Sequence, residues 1–140
     1  MKFLLFFVVL LFSGISIACT CAAPSIEESF KNADFVYIGQ IESAKLSDST
    51  EVTNYLTIIK EYKGVRDTDV VMSRVSKSSC SSPAGVGYEY LVFGKNNSTP
   101  ILESCGQTRV IFYGKKALLD KLDKLVRTAE LELSTKQDDS

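Results

Sequence analysis

Ala33-Asp34-Phe35-Val36-Tyr37-Ile38-Gly39-Gln40-Ile41 gathers β-branched and aromatic residues at five of nine positions, with Val36, Ile38 and Ile41 among its apolar points. Such residues fit a pleated, packed surface, so the stretch reads as a β-strand. On its C-terminal side, polar residues 45–51 form a hairpin loop. Residues 52–62, carrying Tyr55, Leu56, Ile58 and Ile59, give a second strand that stops at Lys63-Gly64. Val70-Val71-Met72 opens a third strand. A Ser/Gly/Pro-rich loop over 76–87 surrounds Cys80, residues 88–93 make a fourth strand ending at Gly94, and residues 101–104 a short fifth.

Helices flank this set. Ser25 reads as the N-cap of a short helix containing Ile26 and Phe30 on one face, with Glu28 completing a capping box. Residues 115–133 place apolar side chains at 118, 119, 122, 125, 126 and 129, the stripe of an amphipathic helix packed on the domain. Residues 134–140 read as a disordered tail. Five short strands and a terminal helix fit a small closed barrel of the OB type, although the strand pattern alone does not separate a barrel from a sandwich.

The N-terminus carries a secretory signal. Lys2 precedes an unbroken apolar run over residues 3–12, and Ser16 and Ala18 occupy the small-residue positions before a cleavage site. The run is too short for a membrane span, which needs about 20 apolar residues. Cleavage after Ala18 leaves one domain over residues 19–133 and makes Cys19-Thr20-Cys21 the mature terminus, with a free α-amine on Cys19. A lipid-modified Cys19 is the competing use of that residue; Ser16, where lipoprotein processing generally wants an aliphatic residue, argues against it.

The chain contains 16 basic and 17 acidic residues and no histidine. Interspersed charges without a basic stripe exclude a nucleic-acid partner. The missing histidine removes Ser-His, Cys-His and His-ligated zinc chemistry. The acidic Glu27, Glu28 and Asp48 fall in segments that read as solvated helix or loop, so no catalytic constellation remains and an enzyme is not expected. All four cysteines, Cys19, Cys21, Cys80 and Cys105, lie in the mature chain, and an even count in a small exported protein points to disulfides. A ring between Cys19 and Cys21 would be strained, which leaves the two pairings that tie both N-terminal cysteines to Cys80 and Cys105. A zinc site is the alternative, against which stand the export signal and the C-x-C spacing. Two overlapping glycosylation sequons, Asn96-Asn97-Ser98 and Asn97-Ser98-Thr99, lie between the fourth and fifth strands.

Cys19-Thr20-Cys21-Ala22-Ala23-Pro24, the early helix, the strand entry at Ala33-Asp34-Phe35-Val36 and cysteines at 80 and 105 resemble the tissue inhibitors of metalloproteinases and, more broadly, the netrin-type OB-fold module. The resemblance covers residues 19 to about 126. It implies a mainly β fold, a five-stranded OB-like barrel with a short N-terminal helix and a C-terminal amphipathic helix, bridged Cys19 to Cys80 and Cys21 to Cys105. It also implies a secreted monomer whose partner is a zinc metalloendopeptidase. In such inhibitors the first cysteine's amine and carbonyl oxygen chelate the protease's zinc, displacing its nucleophilic water. Here those groups belong to Cys19, which would meet a metal in trans; no cofactor of the chain's own is implied. Thr20 would enter the specificity pocket, Cys21 and Ala22 would continue the contact, and Ser78 and Ser79 would be brought beside Cys19 as a second contact segment, their other reading being an ordinary polar loop. The third disulfide and second cysteine-rich domain of the animal inhibitors have no cysteines here. The alternative function is a non-inhibitory netrin-type binding module, or a lipoprotein, in which the C-x-C is only a structural staple.

Overall fold

The computed structural model describes residues 21–75 and 81–138. The signal segment 1–18, the Cys19-Thr20 terminus and the Ser78-Ser79-Cys80 segment therefore lie outside the described residues.

A strand buried on one face alternates apolar and polar residues, whereas one buried on both faces is apolar throughout. The first strand, β1 (Phe35–Leu46), begins as the second kind: Phe35, Val36, Tyr37 and Ile38 are all buried. Phe35, Tyr37 and Ile41 point into one core with Leu56, Val71, Tyr90, Val92 and Leu102. Val36 and Ile38 point the other way, into a second core under the helices. Beyond Ile41 the strand runs on, exposed, in a hairpin with β2 (Glu51–Lys63). The loop between them is tighter than the predicted 45–51, and the Ser47 N–H donates to the Glu51 carbonyl at 2.8 Å.

β3 (Val70–Arg74), β4 (Glu89–Gly94) and β5 (Arg109–Val110) complete an antiparallel sheet in the order β3-β2-β1-β4-β5. Three register shifts between β1 and β2, at Val36/Tyr37, Ile38/Gly39 and Ile41/Ser43, bend the long pair. The curled sheet meets itself where the Met72 N–H donates to the Pro100 carbonyl and the Leu102 N–H to the Met72 carbonyl, both at 2.8 Å, making a parallel bridge between Met72 and Ile101. A five-stranded, OB-like arrangement results, as the sequence predicts.

The fifth strand differs from expectation. Residues 101–104 contribute only the single bridge at Ile101, and the paired strand is Arg109–Val110. The chain turns at Glu103, whose carbonyl accepts from the Gly106 N–H at 3.1 Å, and Cys105 is held to Cys21, so residues 103–106 cannot stay extended along β3. The β-branched pair Val110-Ile111 beside Phe112 and Tyr113 was the sequence signal for the strand that does form.

Two helices cover the second core. The short α1 (Ile26–Asn32) starts at Ser25, whose Oγ accepts from the Glu28 N–H at 3.0 Å, and buries Phe30. Its open C-terminal carbonyls are met by Lys63, whose ammonium donates to the Phe30, Lys31 and Ala33 carbonyls at 2.7, 3.1 and 2.6 Å. The long α2 (Lys115–Asp138) buries Leu122 completely and half-buries Leu118, Leu119, Leu125 and Val126 over Val36, Ile38 and Leu91. The predicted stripe is the buried face. α2 extends past residue 133 into the segment read as a disordered tail.

Candidate functional site

The site is built where the N-terminal segment crosses the β4–β5 connection. Cys21 and Cys105 form a disulfide with Cα atoms 5.8 Å apart, closing a sequence separation of 84 residues. This is one of the two bridges that the resemblance implies; the other, Cys19 to Cys80, lies outside the described residues. Three residues on, the Pro24 carbonyl accepts from Gln107 Nε2 at 2.6 Å. Ser25 then caps α1, so the segment from Cys21 to Pro24 is held at both ends while its side chains remain exposed. Such a segment has lost its backbone entropy on folding and has little left to lose on entering a partner's cleft.

A second stretch converges on the same place. Ser82 pairs with Arg74 in an isolated antiparallel bridge, and its Oγ lies 3.0 Å from the Ser104 Oγ. Ser104 adjoins Cys105. A shallow groove of about 210 Å³ runs between Arg74, Ser82 and Glu103 beside the disulfide. Adjoining it at Ile101 and Glu103, a larger groove of about 580 Å³ bordered by Pro24 separates α1, through Ser29 and Asn32, from Ser98, Thr99 and Gln107. Gln107 Oε1 is enclosed without a partner among the described residues.

The loop after β4 is fixed by two carboxylates. Asp34 Oδ2 accepts from the Asn96 N–H at 3.0 Å and Asp67 Oδ2 from the Asn97 N–H at 2.7 Å, while Lys95 pairs with Asp34 at 3.4 Å. The backbone bond from Asn96, and after it the Lys95 ammonium, hold the Asp34 carboxyl below its usual range. Asn97 takes a left-handed conformation, φ 63°, which asparagine tolerates. Both sequon asparagines are exposed at this loop.

The family model of the UNC-6/NTR/C345C module matches residues 28–129. The chain belongs to this netrin-type module family. The netrin-type domain is also the one found in the tissue inhibitors of metalloproteinases. No curated protein matches the chain at a significant level. NTR modules are binding or inhibitor domains, and the geometry agrees with that use: an exposed ridge on a stiff barrel offers contact surface. Among the described residues no helix is long and apolar enough to cross a membrane, and no group of three or more His, Cys, Asp or Glu is placed to hold a metal.

Of the residues singled out in the sequence, the structure describes Cys21, Ala22 and Cys105 and brings the first two onto the ridge above the third. Sequence reasoning missed Gln107, Ser82 and Ser104, which fix the ridge and its neighbour. Ser82 and Ser104 each lie within two residues of a cysteine, and that proximity was the available signal.

Proposed function

We propose that this NTR module is a secreted inhibitor of zinc metalloendopeptidases, with Cys19 and Thr20 as the residues that enter the target. The observation that carries the proposal is the Cys21–Cys105 bridge, which anchors an exposed, extended N-terminal segment to the barrel. Two residues of chain span at most about 7 Å. Cys19 is two residues from the bridged Cys21, and Cys80 is two residues from Ser82, whose hydroxyl touches that of Ser104 beside Cys105. The resemblance to the metalloproteinase inhibitors pairs Cys19 with Cys80, and Ser78 and Ser79 would then stand next to the terminus.

Chemically, the Cys19 α-amine and carbonyl oxygen form a five-membered chelate with the protease's zinc and replace the water that the enzyme activates. The amine binds metal only when uncharged, and an α-amine titrating near pH 7.7–8.0 reaches that form at small cost at neutral pH. Inhibition accordingly weakens as pH falls below the amine's titration. Thr20 occupies the pocket beside the scissile site.

The test compares protein with an authentic Cys19 terminus against protein carrying one additional N-terminal alanine, on a panel of zinc endopeptidases. Inhibition by the authentic form alone supports the proposal. Equal inhibition by both forms, or none by either while both fold with two disulfides, refutes it and leaves a non-inhibitory NTR binding module in which the C-x-C is a staple.

A further inference from the structure

Residues 109–119 read Arg-Val-Ile-Phe-Tyr-Gly-Lys-Lys-Ala-Leu-Leu, three cations without one acid, in a chain whose formal net charge is −1. The fold puts this stretch at the turn from β5 into α2. Gly114, at φ 67°, reverses the chain there, and its carbonyl accepts the Leu118 N–H at 3.0 Å to begin the helix. The two residues at the tip are aromatic and turned outward: Phe112 is 62% and Tyr113 96% exposed. Tyr88, half-exposed on the neighbouring loop, meets the Phe112 ring edge to face at 5.4 Å, so the aromatic surface is continuous across two segments.

Cations border it. Arg109 and Lys121 line the same shallow depression of about 440 Å³ as Phe112 and Tyr113, and Lys115 and Lys116 follow the turn in sequence. Lys115 is paired with Glu89 at 2.6 Å and Lys121 with Glu27 at 2.8 Å. Arg109 and Lys116 make no ion pair among the described residues. Tyr113 is not buried within the chain, and its ring and that of Phe112 stand beside two cations with no acidic partner among the described residues, Arg109 and Lys116. This arrangement suits a soft interface, where aromatic rings sit at headgroup level and lysine and arginine meet phosphates.

We propose that the Phe112-Tyr113 turn docks the module on an anionic phospholipid surface, with both rings at the headgroup boundary and Arg109 and Lys116 on lipid phosphates. The proposal is independent of protease inhibition. It involves no spanning element: a small apolar insertion and a few cations give weak, reversible, salt-sensitive attachment. It would hold the protein at a surface while leaving the Cys21 ridge to a separate partner.

The test is co-sedimentation of the mature protein with vesicles of phosphatidylcholine containing phosphatidylserine, beside pure phosphatidylcholine, at low and high salt. The expected result is selective binding to the anionic vesicles, reduced by salt. Binding should weaken roughly fivefold for each cation removed in R109Q/K116Q, and be lost in F112S/Y113S. Y113S alone, at a nearly fully exposed position, keeps the fold and should weaken binding as well; unchanged melting temperatures verify this. Absence of binding, equal binding to both vesicle types, or binding that survives the aromatic substitutions, as a lipid on Cys19 would produce, overturns the proposal.

Discussion

Single side chains at the entry to β1 tie three parts of the chain together. Lys63 closes the C-terminal end of α1 from the end of β2, and burial pushes its ammonium below the usual lysine range even as it donates to three carbonyls. Gly64 follows at φ 62°, and a Cβ there would lie 2.0 Å from the Asp34 carbonyl oxygen, so no other residue fits without moving backbone. Asp34 holds the loop after β4, with its carboxyl held below the usual aspartate range chiefly by the Asn96 N–H. A carboxyl depressed in the folded state adds stability above its unfolded value, and that stability is lost as pH falls through the folded value. The melting-temperature advantage of wild type over Asp34→Asn should therefore hold from pH 7 to about pH 5 and shrink below about pH 4. A thermal series at stepped pH checks it. A difference independent of pH would mean that the charge of Asp34 contributes nothing.

Among the elements, α2 contributes most of the cover over the second core, and its contact centres on Leu122, fully buried against residues such as Val36, Ile38 and Leu91. Leu122→Ala should cost about 2–5 kcal/mol, from lost burial and the cavity left behind. Leu131→Ala, at an exposed site on the same helix, should stay within about 0.5 kcal/mol. Urea unfolding of both variants checks the contrast, and equal losses would show that α2 is not docked through this face. Leu122 was legible in the sequence because a helix with one wet face writes its period of 3.6 plainly. β1 was legible for a different reason, since the β-branched and aromatic residues crowded into its first positions suit a strand packed on both faces. β5 was not. Its pairing covers two residues, too few for any alternation, so only the β-branched Val110-Ile111 beside two aromatics marked it, and the turn that displaces it from 101–104 follows from the distant contact of Cys105 with Cys21. Ser82, Ser104 and Gln107 escaped notice on the same ground: each matters through a partner more than 20 residues away, and polar side chains in loops carry no period that announces such a partner.

At the scale of the whole molecule, two closures act on different bonds. The barrel closes through the backbone of Met72 against Pro100 and Leu102, with no cysteine involved. The N-terminal segment closes onto that barrel through the Cys21–Cys105 bridge and the Gln107–Pro24 hydrogen bond. Removing the bridge in Cys21→Ala/Cys105→Ala should therefore loosen the ridge far more than the barrel. In the chain-entropy account the bridge contributes at most about 4–5 kcal/mol for a loop of this size, a reduction that a domain of some 120 residues can survive. Hydrogen exchange separates the two effects: amides of β1 and β4 should keep the protection set by global stability, while those of Glu28 and Ser29, which donate to Ser25 at the end of the ridge, exchange faster than in the bridged protein. If Glu28 and Ser29 remain as protected as before, Gln107, the Ser25 cap and the proposed Cys19–Cys80 bridge suffice to hold the ridge. If instead protection falls everywhere to the same level, ridge and barrel unfold as one unit, and the preorganisation of the N-terminal segment cannot be altered apart from the fold.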